Sequence, residues 1–136
     1  ETVLLDDSQN TEHFISELSN AGVRFALDDF GTGYSSLGYL NKYPFSKIKV
    51  DRSFVQGAAQ HSKESLAIIR AVVAMADALE MTTTAEGVEN IEEAELVRRL
   101  GCTKIQGYHF GRPMTAEDAL KLFRRRVSDV PDRMRA

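Results

Sequence analysis

Asp28 and Asp29, in the run "ALDDFGTG", stand where an apolar stretch gives way to a loop holding Gly31 and Gly33. Lys49 in "SKIKVD", Glu86 in "TTTAEG" and Gln106 in "TKIQGY" sit at comparable places, each at the end of a short run with strand character. A lone aspartate at a strand end is ordinarily a cap. Its repetition at four strand ends points to a site. Acids, one lysine and one amide suit a divalent ion bound through oxygen. Two neighbouring carboxylates can hold two ions roughly 3.5–4 Å apart, an arrangement that activates a water and steadies charge on phosphorus during phosphodiester cleavage. Adjacent strand residues face opposite ways. Asp28 and Asp29 therefore share one site only if the chain leaves the strand between them, which the glycines permit. Otherwise Asp29 caps the loop and Asp28 alone faces inward.

Other polar groups are weaker candidates. His13, His61 and His109 have no partners at ligand spacing, which argues against a zinc set. Lys49 has an alternative ion-pair partner in Asp51. Glu89 is expected to cap or pair with the helix that follows it. The "GTG" loop lacks the ending of a phosphate loop and does not fit G-x-G-x-x-G, so it reads as a mobile connection over the site. Tyr108 and Phe110 suit either stacking on a base or packing above the site.

The elements that must position these groups follow from periodicity. Phe14, Ile15 and Leu18 predict a helix over 11–20, capped by Thr11 and stopped at Gly22. "VRFALDD" predicts a strand, "YSSLGYLNKY" a short helix or loop ending near Pro44, and "SKIKVD" a second strand. A long helix over 62–80 places Leu66, Ile69, Val73, Ala76 and Leu79 mostly along one face. "MTTTAEG" is the third strand and "CTKIQGY" the fourth, with a helix over 90–101 between them. Thr115 caps a last helix over 115–126, with acids in its first turn and arginines in its last. This alternation predicts an α/β fold of parallel β/α units with right-handed crossovers, and sites form at the strand ends of such folds.

The totals bound the reading. The 136 residues make one domain at most, with 17 Lys and Arg against 20 Asp and Glu. A net charge of −3 offers no bulk attraction to DNA or RNA. The five arginines of "RRRVSDVPDRMRA" read as a helix end favourable to its dipole, followed by a frayed tail. The single cysteine, Cys102, cannot form an internal disulfide, so a reducing compartment is expected. No run of apolar residues is long enough for a membrane span.

The strings "DDFGTGYSSLGYLNKYPFSKIKVDRSFV", "AEGVE" and "QGYHFGRPM" strongly resemble the EAL family of bacterial cyclic-di-GMP phosphodiesterases, from Glu1 to about Phe123. The resemblance implies a TIM-type barrel that opens cyclic-di-GMP to pGpG with Mg²⁺ or Mn²⁺. By motif, Asp28 resembles the metal-bridging aspartate and Asp29 its neighbour on the second metal. Lys49 resembles the lysine that orders the attacking water or a phosphate oxygen. Glu86 resembles the glutamate that handles the water's proton or helps hold a metal, and Gln106 the supporting amide. Glu1 resembles the glutamate that anchors the loop beginning at Asp28. Arg112 and Pro113 sit where the family contacts or encloses the nucleotide.

The resemblance also implies that the front of the family is absent. The Glu-Ala-Leu signature, the asparagine of the next strand and the first glutamate of E-x-T have no counterpart here. Four strands in place of eight predict the second half of a barrel over residues 1–126, with a flexible tail over 127–136. Half a barrel leaves sheet edges unpaired, so the chain is expected to be inactive alone and to need the barrel's other half. Glu1 in place of Met favours a fragment of a longer protein. Expected of the intact protein are a homodimer, upstream sensory or diguanylate-cyclase domains, and a cytoplasmic domain whose parent is membrane-anchored in some architectures. The alternative is a non-catalytic cyclic-di-GMP receptor or interaction domain.

Overall fold

A computed structural model describes residues 9–31, 40 and 42–128. Glu1, Gly33, most of "YSSLGYLNKY" and the stretch 129–136 lie outside the described residues. The elements are α1 (Gln9–Asn20), β1 (Phe25–Phe30), β2 (Phe45–Val50), α2 (Arg52–Ala59), α3 (Lys63–Ala78), β3 (Thr82–Ala85), α4 (Ile91–Arg99), β4 (Lys104–Ile105) and α5 (Ala116–Ser128).

The four strands form one sheet in the order β1-β2-β3-β4, and every pairing is parallel. Spatial order equals chain order, so each crossover leads to the adjacent strand. That is the wall of a β/α barrel; a doubly wound sheet would reverse its order at a switch point.

Alternation divides the sheet into two faces. Ile48 and Val50 of β2 are fully buried. They align with Thr83 and Ala85 of β3 against the helices. Val55 and Ala58 of α2, Ile69, Val72, Val73 and Ala76 of α3, and Ala94 and Val97 of α4 complete that core. Each large side chain sealed there contributes about 1.5–3 kcal/mol relative to exposure. Thr83 is tolerated in this layer because its hydroxyl and backbone exchange hydrogen bonds with Thr103. The other face carries Lys47 and Lys49, Thr82 and Thr84, and Lys104, which share rows across the strands.

Several boundaries differ from the sequence reading. Helix α1 begins at Gln9, which puts Thr11 inside it and not at its cap. Ile15 is buried while Phe14 is exposed. Helix α2 carried no expectation; it exists because Asp51 leaves the strand and accepts the Ser53 N–H at 2.9 Å, an N-cap. Strand β4 spans two residues only. Asn90 and Thr115 do cap α4 and α5, accepting the N–H of Glu93 at 2.8 Å and of Asp118 at 3.2 Å. No described helix is long and apolar enough to cross a membrane.

Candidate functional site

The site begins with a break in register. Leu27 pairs with Ile48, but the next aligned pair is Phe30 with Val50, so β1 carries one residue more than β2 across this interval. The extra residue is a bulge at Asp28–Asp29, and Asp29 has a left-handed backbone with φ +50°. Aspartate tolerates that region better than most residues. Strict alternation would send Asp29 into the helix layer beside Leu27 and turn Phe30 outward. The bulge returns Phe30 to the core and frees Asp29 to join Asp28. The requirement that the chain leave the strand between the two aspartates is met here by a bulge within β1.

The neighbouring strands supply the remaining charges. Lys49 Nζ lies 2.8 Å from Asp28 Oδ1 and 2.7 Å from Glu86 Oε1. Asp28 Oδ1 also accepts the Asp29 N–H at 3.1 Å. The Lys49 hydrogen bond holds the Asp28 carboxyl below its ordinary value, with burial pulling the other way. Burial pulls the Lys49 ammonium down, but its bonds to Asp28 and Glu86 outweigh this and raise it overall. Lys49 is therefore a fixed cation. Asp51 takes no part in this pair, because its carboxylate caps α2 and the Ser53 hydroxyl donates to it.

Asp28, Asp29 and Glu86 each offer a carboxylate oxygen within 4.8 Å of the others. An all-oxygen donor set of this charge fits a hard divalent ion. The ammonium of Lys49, already seated between two of the three, shows that the cluster attracts a cation.

Beside the cluster opens a recess of about 280 Å³, lined by Arg52, Glu86, Glu89, Gln106 and Tyr108 among others. Gln106 is placed by its backbone, which donates to Ala85 O at 2.8 Å and accepts from Val88 N at 3.1 Å. The recess floor is tight: a Cβ on Gly107 would lie 2.0 Å from Val88 O, and one on Gly87, where φ is +65°, 2.4 Å from Arg52 Cγ. Glu89 differs from expectation. Its side chain pairs with Arg52 of α2 at 2.7 Å, and its N–H, not its carboxylate, enters the cap of α4 by donating to Glu93 at 2.7 Å.

Arg52 is the site residue that sequence reasoning missed. It follows Asp51 in "VDRSF", and only the unforeseen helix α2 turns it toward the recess. Arg112 lies over the Tyr108 ring at 4.7 Å, and its positive charge favours the ring face. Arg112 and Pro113 are exposed; neither is among the residues lining the recess. Phe110 packs edge-to-face on His109 and is exposed.

Comparison with known proteins gives three findings. The family model of the EAL domain matches residues 1–113. The bifunctional diguanylate cyclase/cyclic di-GMP phosphodiesterase MucR of Pseudomonas aeruginosa is 42% identical over 120 residues, which is 88% of this chain and 17% of that protein. The solved MucR phosphodiesterase in complex with cyclic-di-GMP superposes with a TM-score of 0.76 at 43% identity, over 85% of this chain and 46% of that one. A manganese and cyclic-di-GMP complex of Klebsiella pneumoniae BlrP1 superposes with a TM-score of 0.70 at 38% identity, over 77% of this chain and 26% of that one. The chain thus spans under a fifth of this curated relative and about half of the solved MucR domain.

Proposed function

This chain belongs to the EAL domain family, and on that premise we propose that it is the second half of a metal-dependent cyclic-di-GMP phosphodiesterase that produces pGpG. The observation that carries the proposal is the Asp28–Lys49–Glu86 contact, with Asp29 brought alongside by the bulge. Asp28 and Asp29 would hold Mg²⁺ or Mn²⁺, with Glu86 within reach. When bound, such an ion lowers the pKa of a water and offsets phosphoryl charge.

The chain's own residues divide the remaining work. Lys49, held protonated by two carboxylates, presents positive charge to a phosphoryl oxygen and orients the attacking water. Glu86, only 19% exposed, accepts that water's proton as the new P–O bond forms and the bond to the ribose 3′ oxygen breaks. The leaving oxygen takes a proton from solvent. Gln106, Arg52 and Tyr108 bound the recess for the rest of the nucleotide, with Arg112 and Pro113 at its rim. Glu1 is proposed as the anchor of the loop that starts at Asp28. A homodimer and companion sensory or cyclase domains belong to the same reading.

The test is hydrolysis of cyclic-di-GMP by the whole protein carrying this chain, with Mg²⁺, with Mn²⁺ and with EDTA. Metal-dependent pGpG that disappears in Asp28→Asn supports the proposal. A folded protein that binds the nucleotide with metal present and releases no product replaces it with a receptor.

A further inference from the structure

The sheet face turned away from the helices is basic at the end opposite the acidic cluster. Arg24, Lys47 and Lys104 line a recess of about 280 Å³ together with Phe25, Ser46 and Thr82. Lys47 shares a row with Ala26 and Thr82, and Lys104 a row with Lys49 and Thr84. The neutral groups are already satisfied: the Ser46 hydroxyl donates to Phe25 O at 3.2 Å and Thr82 to Ser46 O at 3.3 Å. The cations are not. Among the described residues, no carboxylate pairs with Arg24, Lys47 or Lys104, whereas Lys49 in the next row has two. Between Lys49 and Lys104, the buried Thr84 Oγ1 has no hydrogen-bond partner. A buried hydroxyl is rarely left in that state.

We propose that Arg24, Lys47 and Lys104 form a docking surface for carboxylates carried on the inward face of the barrel's other half. This rests on the EAL reading and names the chemistry of the partner that the reading requires. The chain covers 46% of the solved MucR domain, so a closed barrel must face this sheet with strands from elsewhere. Charge decides which strands. A second copy would set Lys47 and Lys104 against like charges, so this face rejects self-assembly. An acidic half-barrel neutralises the cluster and supplies an acceptor for Thr84. Specificity then comes partly from repulsion of the wrong partner.

The experiment expresses this chain and the preceding half of its domain as two polypeptides and measures their association by calorimetry at low and high salt. It needs no substrate, so its failure is separable from failure of the phosphodiesterase reading. Lys47→Glu with Lys104→Glu is expected to weaken association at least ten-fold and to flatten its salt dependence, while Lys47→Arg with Lys104→Arg retains it. The same reversals in the single whole polypeptide lower Tm, which keeps the proposal testable if the separate halves do not stay soluble. Unchanged affinity and Tm in the reversed variant overturn the proposal. So does a homodimer of this chain abolished by those reversals, or stabilisation of the whole protein by inorganic phosphate that depends on Lys47 and Lys104.

Discussion

The Lys49 ammonium and the Asp28 carboxylate meet at 2.8 Å across the seam between β1 and β2, and Glu86 closes the other side of the ammonium at 2.7 Å. One cation thereby ties three strands together at the site. Lys49→Met removes that charge without removing the carboxylates. Turnover by the whole protein is expected to fall by about 10²–10³, while Mn²⁺ binding, read by calorimetry, holds or tightens because a competing cation is gone. Weakened Mn²⁺ binding would show that Lys49 organises the ligands and does not merely share their space.

The left-handed Asp29 separates backbone from ligand. Asp29→Gly adopts φ +50° freely, so urea stability is expected to hold while metal affinity drops about ten-fold or more. Asp29→Val loses the carboxylate and also strains the bulge, costing about 1–2 kcal/mol. Equal stability of the two variants would mean that the bulge relaxes away.

Asp51 links stability to pH. Its carboxyl is held below the ordinary value, chiefly by the Ser53 hydroxyl, with burial opposing. A depressed folded-state pKa contributes stability above the unfolded value, near 3.9, and loses it as pH falls through the folded value. Asp51→Ala is therefore expected to cost about 1 kcal/mol at neutral pH. The gap to wild type should narrow below about pH 4 in urea titrations. A gap that is constant down to pH 2 would assign the cost to packing.

Gly107 tests the fit between the third and fourth β/α units. An added Cβ meets Val88 backbone oxygen at 2.0 Å, and backbone cannot swing aside as a side-chain tip can. Gly107→Ala is expected to cost about 1–3 kcal/mol and to depress turnover through displaced Gln106. Wild-type stability and turnover together would show that the loop has slack.

The parallel β/α order and the placement of Asp28, Asp29, Lys49, Glu86 and Gln106 at one edge were legible because both rest on local patterns: alternation, helical period and caps such as Asn90 and Thr115. The bulge was not. A register is a property of two strands, and nothing inside "ALDDFG" says that Phe30 must find Val50. Helix α2 was missed because "RSFVQGAA" is short and contains a glycine, so tertiary packing of Val55 and Ala58 decides it. The Arg52–Glu89 pair depends on that helix and was hidden with it. Arg112 was placed at the nucleotide by resemblance, and its cation–π contact with Tyr108 had no signal in the spacing.

The strand order has a consequence for synthesis on the ribosome. Because every strand pairs with the one made just before it, a nascent chain always holds an open edge ready for the next strand, and loop closure stays short at each step. No strand waits for a distant partner, so assembly proceeds vectorially, unit upon unit. Only closure of the ring requires a long-range event, and the order of translation leaves that event for last.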